Sequence, residues 1–130
     1  MVQTSFDRLT FLGLYIQTEL QNLSGLAGLT TLTQLAIDSC KRVGSIDEIA
    51  HLTNLTMLKV ANCGDIASLA AMATLNELEE FFAWESTRVV DGDLSVLMTL
   101  PRLRQIAMAS RRHYRPTTAE LESALAARHG

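Results

Sequence analysis

Two cysteines, three histidines, an Asp-Gly-Asp triplet and one arginine-rich run are the parts of this 130-residue chain with chemistry beyond packing. Cys40 and Cys63 stand 23 residues apart. That placement admits a buried pair of reduced thiols, a disulfide, or half of a metal site. A structural zinc site needs four nitrogen or sulfur ligands, and no other Cys or His shares their position in the 23-residue repeat of this chain. Free cysteines behave mostly as small core hydrophobes. The expectation is two reduced, buried thiols without metal. His51, His113 and His129 fall at turns or ends, and spacing sets none of them beside a cysteine as a general base. With no catalytic constellation, neither an enzyme nor a cofactor is expected. Asp91-Gly92-Asp93 offers too few oxygen ligands for a calcium loop and reads as a tight surface turn at Gly92. Arg111, Arg112, His113, Tyr114 and Arg115 would suit phosphate or RNA contact. A single basic cluster in a chain of net charge −3 favours a plainer role, a solvated loop with Tyr114 anchoring the C-terminal segment.

The elements that must position these residues follow from the repeat. In steps of 23, apolar residues fall into columns: Phe6, Leu29, Leu52, Leu75; then Leu9, Leu32, Leu55, Leu78; then Leu12, Leu35, Leu58, Phe81; then Leu14, Ile37, Val60, Ala83. A fifth copy follows a two-residue insertion, as Leu100, Leu103, Ile106 and Met108. Self-similarity at this period marks a solenoid whose copies bury a core only by stacking. Leu35 and Ile37, two apart, share one face of a strand, while Gln34, Ala36 and Asp38 take the other. Strands are predicted at 11–15, 34–38, 57–61, 80–84 and 105–109, aligned in parallel about 4.8 Å apart. Later in each copy the apolar spacing becomes three, as in Leu20, Leu23, Leu26, in Val43, Ile46, Ile49 and in Ile66, Leu69, Met72. Three residues per turn is the 3₁₀ period, so the return side is predicted to be 3₁₀ or irregular backbone.

Copies two and three, residues 29–51 and 52–74, both fit L-x-x-L-x-x-L-x-[IV]-x-x-C-x-x-[IV]-x-x-[IL]-x-x-[IM]. On this motif the chain resembles the leucine-rich repeat family, in a short bacterial-type form of about 22 to 23 residues. The ending DGDLSVLMTLPRLRQIAMASRRHYRP looks like the last repeat of many bacterial members. The resemblance runs from about residue 6 to 121. It implies an α/β solenoid: a right-handed superhelix with a parallel sheet on its concave face, a 3₁₀ or irregular convex side and a C-terminal capping helix. It implies that the Cys40 and Cys63 position faces the inner turn and bonds nearby backbone. It also implies a protein-interaction module. By analogy, the alternative is a bacterial inhibitor or immunity-type protein that blocks a cognate toxin or effector enzyme.

The candidate binding residues come from the strand pattern. Of seven aromatic residues, Phe6 and Phe81 belong to core columns, while Phe11, Tyr15, Phe82 and Trp84 fall on the outward face. Gly13, Ala36, Ala61, Ala107 and Ala109 would floor that face, and Asp38, Met57, Lys59 and Glu80 stand on it. Exposed aromatics on a flat sheet with charges beside them suggest a protein partner, with Trp84 and Phe82 as anchors. The competing reading is that Phe82 and Trp84 merely pack on each other and on Met57.

Composition sets the remaining bounds. Residues 1–130 make one domain of ordinary length, with repeats starting near 6, 29, 52, 75 and 100. Apolar residues make up 48%, yet no run reaches the roughly 18 residues of a membrane helix. The start, MVQTSFDR, lacks the basic-then-apolar pattern of a signal peptide. A cytoplasmic location is therefore expected, in keeping with free thiols, and the Asn22 and Asn54 sequons are read as coincidences. A net charge of −3 argues against general nucleic-acid binding. Thr117 and Glu120 have capping-box spacing, and Leu121, Ala124 and Leu125 follow at helical intervals, predicting an amphipathic helix at 118–128 over the end of copy five. No such cap precedes Phe11, so either the chain is a piece of something longer or this end is covered by another molecule; if the chain is complete, a homodimer through the N-terminal strand edge is the expectation.

Overall fold

The computed structural model describes residues 11–15, 28–40, 44–84 and 86–129, the side chains of residues 12–15 and 129 apart. Five strands, β1 (Phe11–Tyr15), β2 (Gln34–Asp38), β3 (Met57–Ala61), β5 (Glu80–Ala83) and β7 (Gln105–Met108), form one sheet in the order β1-β2-β3-β5-β7. Every pairing is parallel. Two-residue strands β4 (Asp65–Ile66) and β6 (Arg88–Val89) pair beside it as a second sheet. The register is that of the repeat: Leu12 faces Leu35, Leu35 faces Leu58, Leu58 faces Phe81 and Phe81 faces Ile106. Because side chains alternate across a strand, the constant period keeps each apolar column in line from β1 to β5, and the two-residue insertion before copy five falls between β5 and β7. Leu35, Leu58 and Phe81 are fully buried, as are Leu32, Leu55, Leu78 and Leu103 just before each strand.

The spacing of three is hydrogen-bonded as expected. The Ile49 amide donates to the Ile46 carbonyl and the Leu52 amide to that of Ile49, within a 3₁₀ turn at Asp47–His51. Met72 donates to Leu69 and Leu75 to Met72 around a second turn at Ala70–Thr74. Two departures need correction. Ile66 lies in β4 rather than a 3₁₀ turn, because its carbonyl accepts from Val90 in the next copy. In copy four the return contains one α-helical turn, α1 (Val96–Thr99), burying Leu97. Strands 80–84 and 105–109 each end one residue short of expectation.

After β2 and β3 the chain turns through left-handed Ser39 (φ 60°) and Asn62 (φ 53°). Short polar side chains tolerate this conformation because they bond locally. Asn62 Nδ2 donates to Ser39 Oγ, and Ser86 Oγ donates to Asn62 Oδ1, so these turns are linked from copy to copy. The turn at Gly92 (φ 68°) lies at the surface, with Asp91 and Asp93 exposed, but Gly92 itself is buried: a Cβ there would meet the His113 carbonyl oxygen at 2.5 Å.

The C-terminal helix α2 (Thr118–His129) starts at a reciprocal capping box. Thr117 N donates to Glu120 Oε1 at 2.8 Å, and Glu120 N donates to Thr117 Oγ1 at 3.1 Å. Leu121 and Leu125 are buried, and Arg128 donates to the carbonyls of Met98, Leu100 and Leu103. The expectations for Val43, for the Leu20, Leu23, Leu26 series and for Phe6 and Leu9 lie outside the described residues; β1, the strand on which the homodimer expectation rests, is an edge of the five-stranded sheet.

Candidate functional site

Register turns the outward residues into three rows across the strands. The first runs Phe11, Gln34, Met57, Glu80, Gln105, and the second Gly13, Ala36, Lys59, Phe82, Ala107. The third begins Tyr15, Asp38, Ala61, and Trp84 follows β5 at the level of Ala61. Trp84 is held there by its carbonyl, which accepts from the Asn62 amide at 3.0 Å.

The centre of the face is ordered by its own side chains. Phe82 and Trp84 stack with ring centroids 5.0 Å apart and planes 21° from parallel. Lys59 Nζ lies 5.4 Å from the Trp84 ring centroid, within cation–π range. The same ammonium pairs with Asp38 Oδ2 at 3.8 Å. Trp84 stays 38% exposed despite its stack, Phe11 is 48% exposed, and Met57, Glu80 and Phe82 are half-buried. Ala36 and Ala61 are 3% exposed, so the floor is covered by taller neighbours. The Tyr15 side chain lies outside the described residues. Sequence periodicity placed Asp38, Lys59 and Trp84 on one face. It gave no sign that they form one connected set, because the contact is diagonal between copies.

The other chemical candidates resolve into structural roles. Cys40 and Cys63 form no disulfide and are fully buried. Cys40 Sγ donates to the Asp38 carbonyl at 3.4 Å, and Cys63 Sγ contacts the Ala61 and Ile37 carbonyls at 3.2 and 3.6 Å. Burial, above all, pushes the Cys63 thiol above its ordinary value, keeping it protonated and poorly nucleophilic. Among the described residues no three His, Cys, Asp or Glu side chains converge as a metal site. Asp91 and Asp93 accept local turn bonds, the latter from the Ser95 amide and hydroxyl, and those bonds hold the Asp93 carboxyl below its usual range.

The basic run is a clamp. Tyr114 is buried and its hydroxyl accepts from the Val89 amide at 2.9 Å. His113 Nε2 bonds the Val89 carbonyl, Arg111 donates to the Thr87 carbonyl, and Arg115 donates to the carbonyls of Arg112 and Tyr114. A shallow groove of about 210 Å³ lies between β7 and α2, lined by Arg104, Gln105, Ile106, Glu122, Leu125 and Ala126. No helix among the described residues is long and apolar enough to cross a membrane.

No family model matches the chain, and no curated protein matches it. Among solved structures it is similar to an internalin, inlF, from Listeria monocytogenes: 24% identity over 72% of this chain and 28% of that one, with a TM-score of 0.57. It also aligns with internalin C2 from the same organism, at 22% identity over 75% of this chain and 53% of that one, with a TM-score of 0.47. The chain thus spans about a quarter and about half of the length of these two proteins.

Proposed function

The chain has the leucine-rich repeat fold, and from that premise we propose that it is a protein-interaction module rather than an enzyme. In this reading the superhelix is right-handed, the outward face of the five-stranded sheet is concave, and α2 caps the last repeat. A partner protein docks on the outward face, with Phe82 and Trp84 as anchors and Phe11, Tyr15, Asp38, Met57, Lys59 and Glu80 around them. The observation that carries the reading is the Phe82–Trp84 pair, stacked in advance yet with Trp84 still 38% exposed. A preorganised aromatic anchor loses little side-chain freedom on binding, and such residues dominate interface energetics. The bland alternative, mutual packing alone, accounts for the stack but leaves the exposed indole unused. Two buried thiols outside any disulfide support a reducing compartment such as the cytoplasm. Inhibition of a cognate enzyme is a narrower form of the same binding and is read from the activity of a captured partner.

The test is a pull-down with the intact protein and with the Phe82→Ala, Trp84→Ala double variant, after thermal melts show both to be folded. A protein retained by the first and lost by the second is expected. Its affinity, measured with purified components, should fall at least about tenfold on the double substitution, since each tenfold is about 1.4 kcal/mol and anchors commonly exceed that. Equal recovery of the same proteins by both forms would refute the assignment.

A further inference from the structure

On the same face we infer that Glu80 selects for a cation, so that the segment docking there presents an arginine or lysine beside an apolar side chain. The inference rests on the binding reading above. It starts from the charges of the outward rows. Lys59 is already committed, to Asp38 at 3.8 Å and to the Trp84 ring at 5.4 Å. Its charge and that of Asp38 cancel within the face. Arg104 and Glu79, at the starts of β7 and β5, pair with each other at 3.4 Å. Among the described residues of the three rows, Glu80 is the charge left unneutralised, a half-buried carboxylate on β5.

Its surroundings fit a basic side chain. In the first row Glu80 lies between Met57 and Gln105, one apolar and one uncharged. Phe82 is two residues along the same strand and face, about 6.6 Å away at roughly 3.3 Å per residue. An arginine could lay its aliphatic stem on Met57, stack its guanidinium against Phe82 and donate a forked pair of hydrogen bonds to the Glu80 carboxylate. An acidic segment would meet Glu80 as a like charge and find Lys59 already paired. The net charge of −3 acts in the same direction.

The probe is a displayed library of random linear peptides, selected in parallel on the wild-type protein, Glu80→Gln, Glu80→Lys and the Phe82→Ala, Trp84→Ala double variant. Thermal melts confirm the fold of each, and Glu80→Gln serves alone if the lysine variant does not fold. Peptides recovered on the wild type should carry Arg or Lys next to Leu, Met or an aromatic residue. Their affinity should drop about tenfold or more on Glu80→Gln, as expected for loss of a charge-assisted hydrogen bond. Selection on Glu80→Lys should replace the cations with Asp or Glu. Peptides that need Phe82 and Trp84 but show no basic bias, or keep their affinity on Glu80→Gln, would overturn the cation preference alone. Recovery of nothing above the double variant's background would overturn the binding reading, and this inference with it.

Discussion

Leu58 and Lys59 are adjacent in sequence and opposite in role. Leu58 is fully buried between Leu35 and Phe81, whereas Lys59 lies half-exposed over Trp84. Leu58→Ala should lose about 2–5 kcal/mol through the cavity it leaves. Lys59→Ala should cost about 1 kcal/mol or less, since a partly exposed ion pair and one cation–π contact are each modest. Urea melts check the contrast, and similar midpoints for the two would break the in/out assignment of β3. Cys63 gives a pH signature. Its thiol pKa is raised in the folded protein by burial, so the native state holds the proton longer than the unfolded chain does. Stability from this group is full below the unfolded value of about 8.5 and declines as pH rises from there through the folded value. Melts from pH 7 to 10 should show a fall that Cys63→Ala reduces; an equal fall in that variant would assign the loss to other groups. Both thiols should alkylate in denatured protein and resist alkylation when native.

At the scale of the element, the basic run shows how a motif suggesting ligand chemistry can serve the chain itself. Its donors go to carbonyls of copies four and five, and Tyr114 receives the Val89 amide. Tyr114→Phe would leave that amide without its acceptor in a buried place. The expected cost is about 1–3 kcal/mol, the penalty of an unsatisfied buried donor, measured as a lower denaturation midpoint. A midpoint unchanged from wild type would mean that Val89 finds another acceptor. The capping box was legible because Thr117 and Glu120 stand three apart before an apolar run, a purely local signal. The α-turn at Val96–Thr99 was not: over four residues beside an insertion, neither propensity nor period separates an α-turn from a 3₁₀ one. Ile66 was misplaced for a related reason, since the pairing of β4 with β6 depends on the next copy.

For the whole molecule, stacking predicts stability shared between neighbours instead of spread evenly. Leu121 and Leu125 join α2 to the core at the copy-five end. Leu121→Ala should therefore speed hydrogen exchange in β7 well before β2 and β3 respond; uniform acceleration across all strands would show one indivisible cooperative unit. The 23-residue period was enough to specify the five strands of the main sheet, their parallel register and the column each side chain joins. A repeat of constant length, changed only by a two-residue insertion before β7, leaves each strand one register in which its apolar residues stay inside. The same period put Phe11, Asp38, Met57, Lys59, Glu80, Phe82 and Trp84 on a shared face. How those residues engage emerged only in three dimensions. The Lys59 ammonium reaches Asp38 and the Trp84 ring in different copies, Phe82 and Trp84 stack, and Glu80 remains unneutralised among the described residues. Those outcomes depend on rotamers and on the offset between neighbouring turns. A linear spacing fixes which face a residue is on, but not which neighbour its side chain reaches.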